Sequence, residues 1–316
     1  MYSALRRGLV VLLAFAGLGF GFGFGSGAEA ATLRWKFKPG ETLRYTIDQK
    51  ITTTAKLPGG QELKNSLIQT VEMSWSVKSV NEDGSAELTQ TFDRVLDKVD
   101  GPFAKYEYDS KSGKEPEGPI AAARLPLFKA MLGTPITFKM NAQGEPSGFQ
   151  VPEKLTQTLR EAGPSAAAAG ALFSEEGLKS MILQTTVVLP KDDLAPGKSW
   201  TRQTKESVPA IGTMTLDTTF TYDGPDDAEG RKLEKIGQTT KVDIKPPADA
   251  KAEAAFPLKI KSQDSKGVIH FDNDAGHLVH LQLNDKIERV ATIMNMEINE
   301  VTETSTTRKL VKDEAK

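Results

Sequence analysis

Apolar and polar side chains alternate with period two over most of this sequence, and that constrains the fold more than any other feature. Leu33, Trp35 and Phe37 alternate, as do Leu43, Tyr45, Ile47 and Ile51, with the polar Gln49 inside the series. Val71, Met73, Trp75 and Val77 repeat the pattern, followed by Met214, Leu216, Phe220 and Tyr222, and later by Met294, Met296 and Ile298. Successive side chains of a strand point to opposite faces. Each run therefore sends one row into a core and the other into water, as in antiparallel sheets with one solvated face. Three turns of the form N-x-x-G, at 81–84, 141–144 and 273–276, separate alternating segments. Asparagine first and glycine fourth fit a type I turn closed by a glycine with positive φ, the three-residue loop of a β-meander.

The middle of the chain breaks the period. Residues 119–133, 151–163 and 173–184 read as short helices, with Pro152 in a first turn and Ser174 as an N-cap ahead of Glu175 and Glu176. PSAAAAGAL (164–172) is low in complexity and reads either as helix or as connector. On both sides of this insert a similar corner opens a strand: FKPGETLR at 37–44 and LAPGKSWT at 194–201. The pair fits an internal repeat, and equally two unrelated Pro-Gly turns. The expected fold is α+β, mainly antiparallel β: two curved β-meander halves, 31–118 and 191–312, with a helical insert carrying one β-hairpin at 119–190. Residues 313–316 form an exposed tail.

Before the first strand, Arg6 and Arg7 precede an apolar and glycine-rich stretch from Gly8 to Phe24, and Ala28-Glu29-Ala30 offers an A-x-A cleavage site. That layout predicts a signal peptide, residues 1–30, read by the Sec route and cleaved near Ala30, and hence a periplasmic or extracellular protein. No stable membrane insertion is expected after cleavage. The chain has no cysteine, so an exported product has no disulfides and its stability rests on burial. From 40 basic and 42 acidic side chains, losing Arg6, Arg7 and Glu29 leaves 38 and 41. So balanced a surface offers no electrostatic footprint for nucleic acid.

The segments LRWKFKPGETLRYTI, ITFKMNAQGEPSGF and GVIHFDNDAGHLVHLQL resemble an uncharacterised family of secreted, β-rich bacterial proteins known only as a domain of unknown function. The resemblance implies a β-rich exported domain and transfers no catalytic residue. At the level of fold alone, a long curved sheet covered by short helices is similar to periplasmic lipoprotein-carrier and lipid-carrier proteins.

Composition also narrows the chemistry. Without cysteine there is no thiol nucleophile, and no G-x-S-x-G, H-E-x-x-H or S-x-x-K motif occurs. Gly197-Lys198-Ser199 ends like a phosphate loop, but Asp192 stands where its first glycine belongs. Asp272-x-Asp274 begins like a calcium loop, but Leu283 stands where its twelfth-position glutamate belongs. The favoured expectation is an exported, non-catalytic binding protein without a cofactor, its partner a lipid or other apolar ligand or a protein of the cell envelope. Leu125, Leu127, Phe128, Met131, Leu132, Leu172 and Phe173 are the candidate cavity lining, although each taken singly reads more readily as plain core.

All three histidines lie in 268–283. With Asp274-Ala275-Gly276 as the loop, cross-strand partners sum to 550. His270 then faces His280, with Cβ atoms roughly 5 Å apart, Asp272 faces Leu278 and Phe271 faces Val279. His277 falls beside the turn, exposed. A cross-strand histidine pair with Asp272 as third ligand defines the alternative: a zinc-binding protein or metal-dependent enzyme using His270, Asp272 and His280. A structural envelope component is the third expectation. Around 81–84 the same register logic sets Trp75 against Thr91, which breaks the alternation. Either a β-bulge or a longer loop must intervene.

Overall fold

The computed structural model describes residues 30–102, 104–161, 173–208, 212–245, 258–293 and 296–311. Residues 1–29 of the expected signal peptide, Leu172 and the 313–316 tail lie outside them. Four strands come first: β1 (Thr42–Lys56), β2 (Glu62–Val80), β3 (Ala86–Asp100) and β4 (Lys105–Asp109). Helix α1 (Pro119–Met131), the hairpin β5 (Ile136–Met140) and β6 (Pro146–Gln150), α2 (Glu153–Glu161) and α3 (Glu175–Gln184) follow. The chain then returns to strands: β7 (Ser199–Val208), β8 (Gly212–Ala228), β9 (Arg231–Lys245), β10 (Leu258–Asp272), β11 (His277–Ile293) and β12 (Met296–Leu310).

All of the strands join one antiparallel sheet. Read from one edge its order is β7, β8, β9, β10, β11, β12, β1, β2, β3, β5, β6, with β4 pairing the far end of β3. Sheet neighbours follow one another along the chain except between β3 and β5, where β4 and α1 intervene, and at one seam, where the last strand pairs the first from Tyr45↔Leu310 to Lys56↔Asn299. The middle of the chain therefore supplies both edges, β6 and β7. Helix α3 touches both of them. At the usual strand spacing, eleven strands laid flat would put those edges about 48 Å apart, whereas a helix is about 10–12 Å across. The sheet must curl into a trough around α3, which also covers the edge backbones that would otherwise invite pairing with another chain.

One end of the trough is closed by aromatic packing and by the segment 31–37. Trp35 packs against Phe37, Trp75 and Phe271, and Trp75 against Tyr45 and Phe138. Each such side chain contributes about 1.5–3 kcal/mol on burial. Leu33, Trp35 and Phe37 are buried as their alternation predicts, although they pair with no full strand. Instead the segment laces turns together: Trp35 N–H donates to Ala142 O at 2.8 Å and Lys36 N–H to Gly276 O at 2.8 Å. Ala31 and Leu194 exchange both backbone bonds at 2.9 Å.

The Pro-Gly corners share more than sequence. Gly40 N–H donates to Val77 O while Val77 N–H donates to Glu41 O; Gly197 N–H donates to Tyr222 O while Tyr222 N–H donates to Lys198 O. Both glycines hold positive φ, 80° and 86°. The helices form at 119–131, 153–161 and 175–184, with the Ser174 hydroxyl accepting from Gly177 N–H at 3.1 Å as an N-cap.

Two hairpins depart from the simple register. Ahead of the 81–84 turn a bulge at Lys78 sets Trp75 opposite Gln90, and Trp75 Nε1 donates to Gln90 Oε1 at 2.8 Å. In the β10–β11 hairpin His270 does face His280 and Ile269 faces Leu281, but Phe271 pairs Leu278 and Asp272 pairs His277. A bulge between His270 and Phe271 is the cause. The turn itself is wider than at 81–84 or 141–144, with Gly276 N–H bonding Asp272 O rather than Asn273 O. Asn273 has other partners: its side chain accepts from Arg34 N–H and donates to Thr32 O, and its carbonyl accepts from Lys36 Nζ. Docking of the N-terminal segment reshapes this loop. His277, which the simple register left exposed, is buried.

Candidate ligand cavity

Beyond the aromatic end the trough is not filled. The inner rows of the long strands continue past the core, where aromatic residues give way to aliphatic and threonine side chains with Gln238, Gln263, Asp285 and Arg289 among them. Met214, Leu216 and Thr218 of β8, Thr240, Val242 and Ile244 of β9, Leu283 and Ile287 of β11, and Thr304 and Thr306 of β12 surround a cavity of about 330 Å³. Leu183, Gln184 and Thr185, at the end of α3, form its floor. A second cavity of about 210 Å³ lies in the other half of the trough, lined by Ile47, Val71, Met73, Trp75, Phe92, Phe128, Met131 and Met181. Gln49, Gln184, Thr185 and Thr306 line both, so the two meet at the C-terminus of α3. A pocket of a few hundred Å³ that is mostly apolar with a few convergent polar groups is the usual form of a small-molecule site.

Two arginines stand at that meeting point. The last carbonyls of a helix carry partial negative charge and lack intrahelical donors, and α3 has no basic residue in its last turn. The sheet supplies the donors instead: Arg202 Nη2 bonds Leu183 O at 2.8 Å and Arg308 Nη1 bonds Thr185 O at 3.0 Å. Arg308 is completely buried and lies over Tyr45 and Trp75, 3.8 and 4.5 Å from the ring centroids. Arg202 lies over Phe220 at 5.3 Å. Burial pushes both guanidiniums down to about 10 and the Tyr45 hydroxyl up to about 12, so at neutral pH both arginines stay charged. Among the described residues neither makes an ion pair within 4 Å; Nε and Nη1 of Arg202 and Nε and Nη2 of Arg308 are buried without a hydrogen bond of ordinary geometry, although the Tyr45 hydroxyl acts on the Arg308 guanidinium at close range. Taking a cation out of water costs several kcal/mol unless it is paired, and each buried donor left unsatisfied calls for an explanation.

Of the residues singled out in the sequence, Phe128 and Met131 line the smaller cavity. Leu125 and Phe128 pack with Val95, Tyr106, Tyr108 and Ala121 in a satellite core beneath α1, with Leu132 against it. Leu127 packs on the main core and Phe173 is buried within it. Leu125 and Leu132 also border a depression of about 710 Å³ between α1 and α2. That depression is larger but lies outside the trough and holds no buried charge. Helix α1 is pinned to the sheet by Arg124, which forms a two-point bond with the fully buried Asp97 at 2.7 and 2.9 Å. The 330 Å³ cavity with Arg202, and the place of Arg308 in the 210 Å³ cavity, are not legible in the sequence. The only local signal is an arginine inside each inward row: Arg202 between Trp200 and Thr204, and Arg308 between Thr306 and Leu310.

The histidine hairpin places its candidates as follows. The rings of His270 and His280 stack face to face, 6.1 Å apart and 5° from parallel. His270 Nε2 lies 3.0 Å from Asp226 Oδ2. Asp272 is held by Arg231 at 2.7 Å and by the Ala275 amide at 2.9 Å. Parallel stacking turns the ring edges alongside each other rather than toward one point between them, and no group of three or more His, Cys, Asp or Glu side chains able to hold a metal occurs among the described residues. Desolvation lowers the affinity of His277 and His280 for a proton.

Residues 83–276, which are 194 of the 316, match the family of unknown function DUF6263. The chain belongs to that family. No curated protein matches it. Among solved structures, this DUF6263 member is similar to lipovitellin described for its lipid–protein interactions, at 15% identity and a TM-score of 0.46, over 88% of this chain and 26% of that one. It spans about a quarter of that chain. DynF of the dynemicin biosynthesis pathway of Micromonospora chersina matches at 9% identity and a TM-score of 0.22, over 91% and 88% of the two chains. An outer membrane channel from Pseudomonas putida F1 matches at 8% and 0.28, over 91% and 98%. With TM-scores below 0.5, these likenesses carry no argument about function. No helix among the described residues is long and apolar enough to cross a membrane.

Proposed function

We propose that this DUF6263 protein is an exported, non-catalytic binding protein that carries an apolar ligand inside its curled sheet. The observation that carries the reading is the unfilled inner face, where four consecutive long strands, β8 to β11, present Met214, Leu216, Val242, Ile244, Ile260, Leu283 and Ile287 to a cavity instead of to one another. Closely packed interiors leave few voids larger than a water molecule, so a trough of this size lined by aliphatic side chains calls for an occupant. Export rests on the signal-like residues 1–30. Phe128 and Met131 belong to the same cavity system in this reading.

Native mass spectrometry of the chain purified from its own host tests it. The expected result is one acyl-chain molecule bound per protein, absent from Val242→Trp, whose indole fills the cavity while the far-ultraviolet spectrum is kept. A protein that arrives empty and takes up no added hexadecanol would refute it.

A further inference from the structure

We infer that the ligand is an amphiphile with an anionic two-oxygen head, seated on Arg308 at the junction of the two cavities with Arg202 close by; this rests on the carrier reading above. Nε and Nη2 form one edge of a guanidinium, the edge that grips a carboxylate or phosphoryl group through two parallel bonds. In Arg308 those two nitrogens are the unpartnered ones, since Nη1 is spent on Thr185 O. The side chain is completely buried and lines the 210 Å³ cavity, with Gln90 and Gln184 among its polar neighbours there. Arg202, which lines the 330 Å³ cavity, also holds one bond to α3 and keeps Nε and Nη1 unpartnered. The acid nearest Arg202 in effect is Glu145, and Glu145 pairs with Lys179 at 2.5 Å. Two buried cations thus converge on one helix end, and no carboxylate among the described residues is bonded to either. Walls of aliphatic and threonine side chains then run from them along the inner rows, with Asp264, Asp285 and Arg289 also lining the larger cavity. A charged head against the arginines and a chain along those walls satisfies both halves of the site.

Equilibrium dialysis of the chain 31–316 against hexadecanoate, hexadecyl phosphate and hexadecanol separates the possibilities. A charge-assisted pair of hydrogen bonds, worth about 1.5–3 kcal/mol, corresponds to about ten- to a hundredfold in affinity. At least one of the two anions should bind that much tighter than the alcohol, and the tighter one names the head group. Arg308→Lys keeps the charge but loses the fork and should reduce the preference, while Arg202→Gln should reduce it less. Comparing three ligands on the unaltered protein does not depend on any variant folding. If the alcohol binds as tightly as both anions, the head-group inference fails and the carrier reading stands. If none of the three binds, both fail.

Discussion

Gly84 and Gly144 occupy the same position in two N-x-x-G turns, and replacing each by alanine should have very different consequences. Both glycines donate to the asparagine carbonyl, at 3.0 and 2.9 Å, and both hold positive φ, 78° and 87°. An L-side chain there costs about 1–2 kcal/mol in either turn. The surroundings then diverge. A Cβ on Gly84 meets only Ala142 Cβ at 3.5 Å, ordinary contact, whereas a Cβ on Gly144 falls 2.3 Å from Trp35 Nε1 and 2.8 Å from Val187 O. Relieving that overlap costs about 1–3 kcal/mol. Moving Trp35 also breaks its 3.1 Å bond to Val187 O, worth about 1 kcal/mol. Gly84→Ala should therefore lose about 1–2 kcal/mol and Gly144→Ala about 3–6 kcal/mol. Urea titration followed by tryptophan fluorescence reads both, since Trp35 itself reports the change. Equal losses within about 0.5 kcal/mol would show that the 31–37 segment does not seal the trough as described.

Other consequences follow from buried charge and from titration. Arg124→Ala should destabilise more than Asp97→Ala, by urea denaturation, because Asp97 is fully buried and would be left unpaired, about 3–5 kcal/mol, while Arg124 is 34% exposed and can turn to water. His277 and His280 hold protons less readily in the fold than in the unfolded chain, so the unfolded state gains protons first on acidification. The stability they permit is complete above their ordinary value near 6.5 and is lost as pH falls through it. The melting temperature should drop between pH 7.5 and 5.5, and drop less in His277→Gln; an unchanged slope in that variant would contradict the burial of His277. Ser174→Ala should cost about 1 kcal/mol by removing the α3 cap, read as a lower urea midpoint.

Local pattern made much of the sheet legible. The rows Leu43–Tyr45–Ile47 and Met73–Trp75–Val77 read directly as inward faces, and Ser174 as a cap, because both signals reside in neighbouring residues. Bulges were less accessible: at Lys78 the failed alternation around Trp75 announced one, whereas at His270 the simple register separated apolar from polar almost completely and still was wrong by one residue beyond the histidines. Asn273 is why, since its bonds to residues 32–36 come from more than two hundred positions away. The same distance hid the cavity. Arg308 and Tyr45 become neighbours only through pairing of β12 with β1, and Arg202 joins them only because the sheet curls around α3. No periodicity in either segment encodes that curl.

The most direct test of an occupied trough is the methyl spectrum of the chain labelled with 13C at its methionines, recorded with and without hexadecanoate. Met214, Met73, Met131 and Met181 line the cavities, while Met140 is sealed in the core and lines neither. The account predicts saturable shifts of the first four resonances with Met140 unmoved. No shift in any of the four, or shifts as large at Met140, would contradict it.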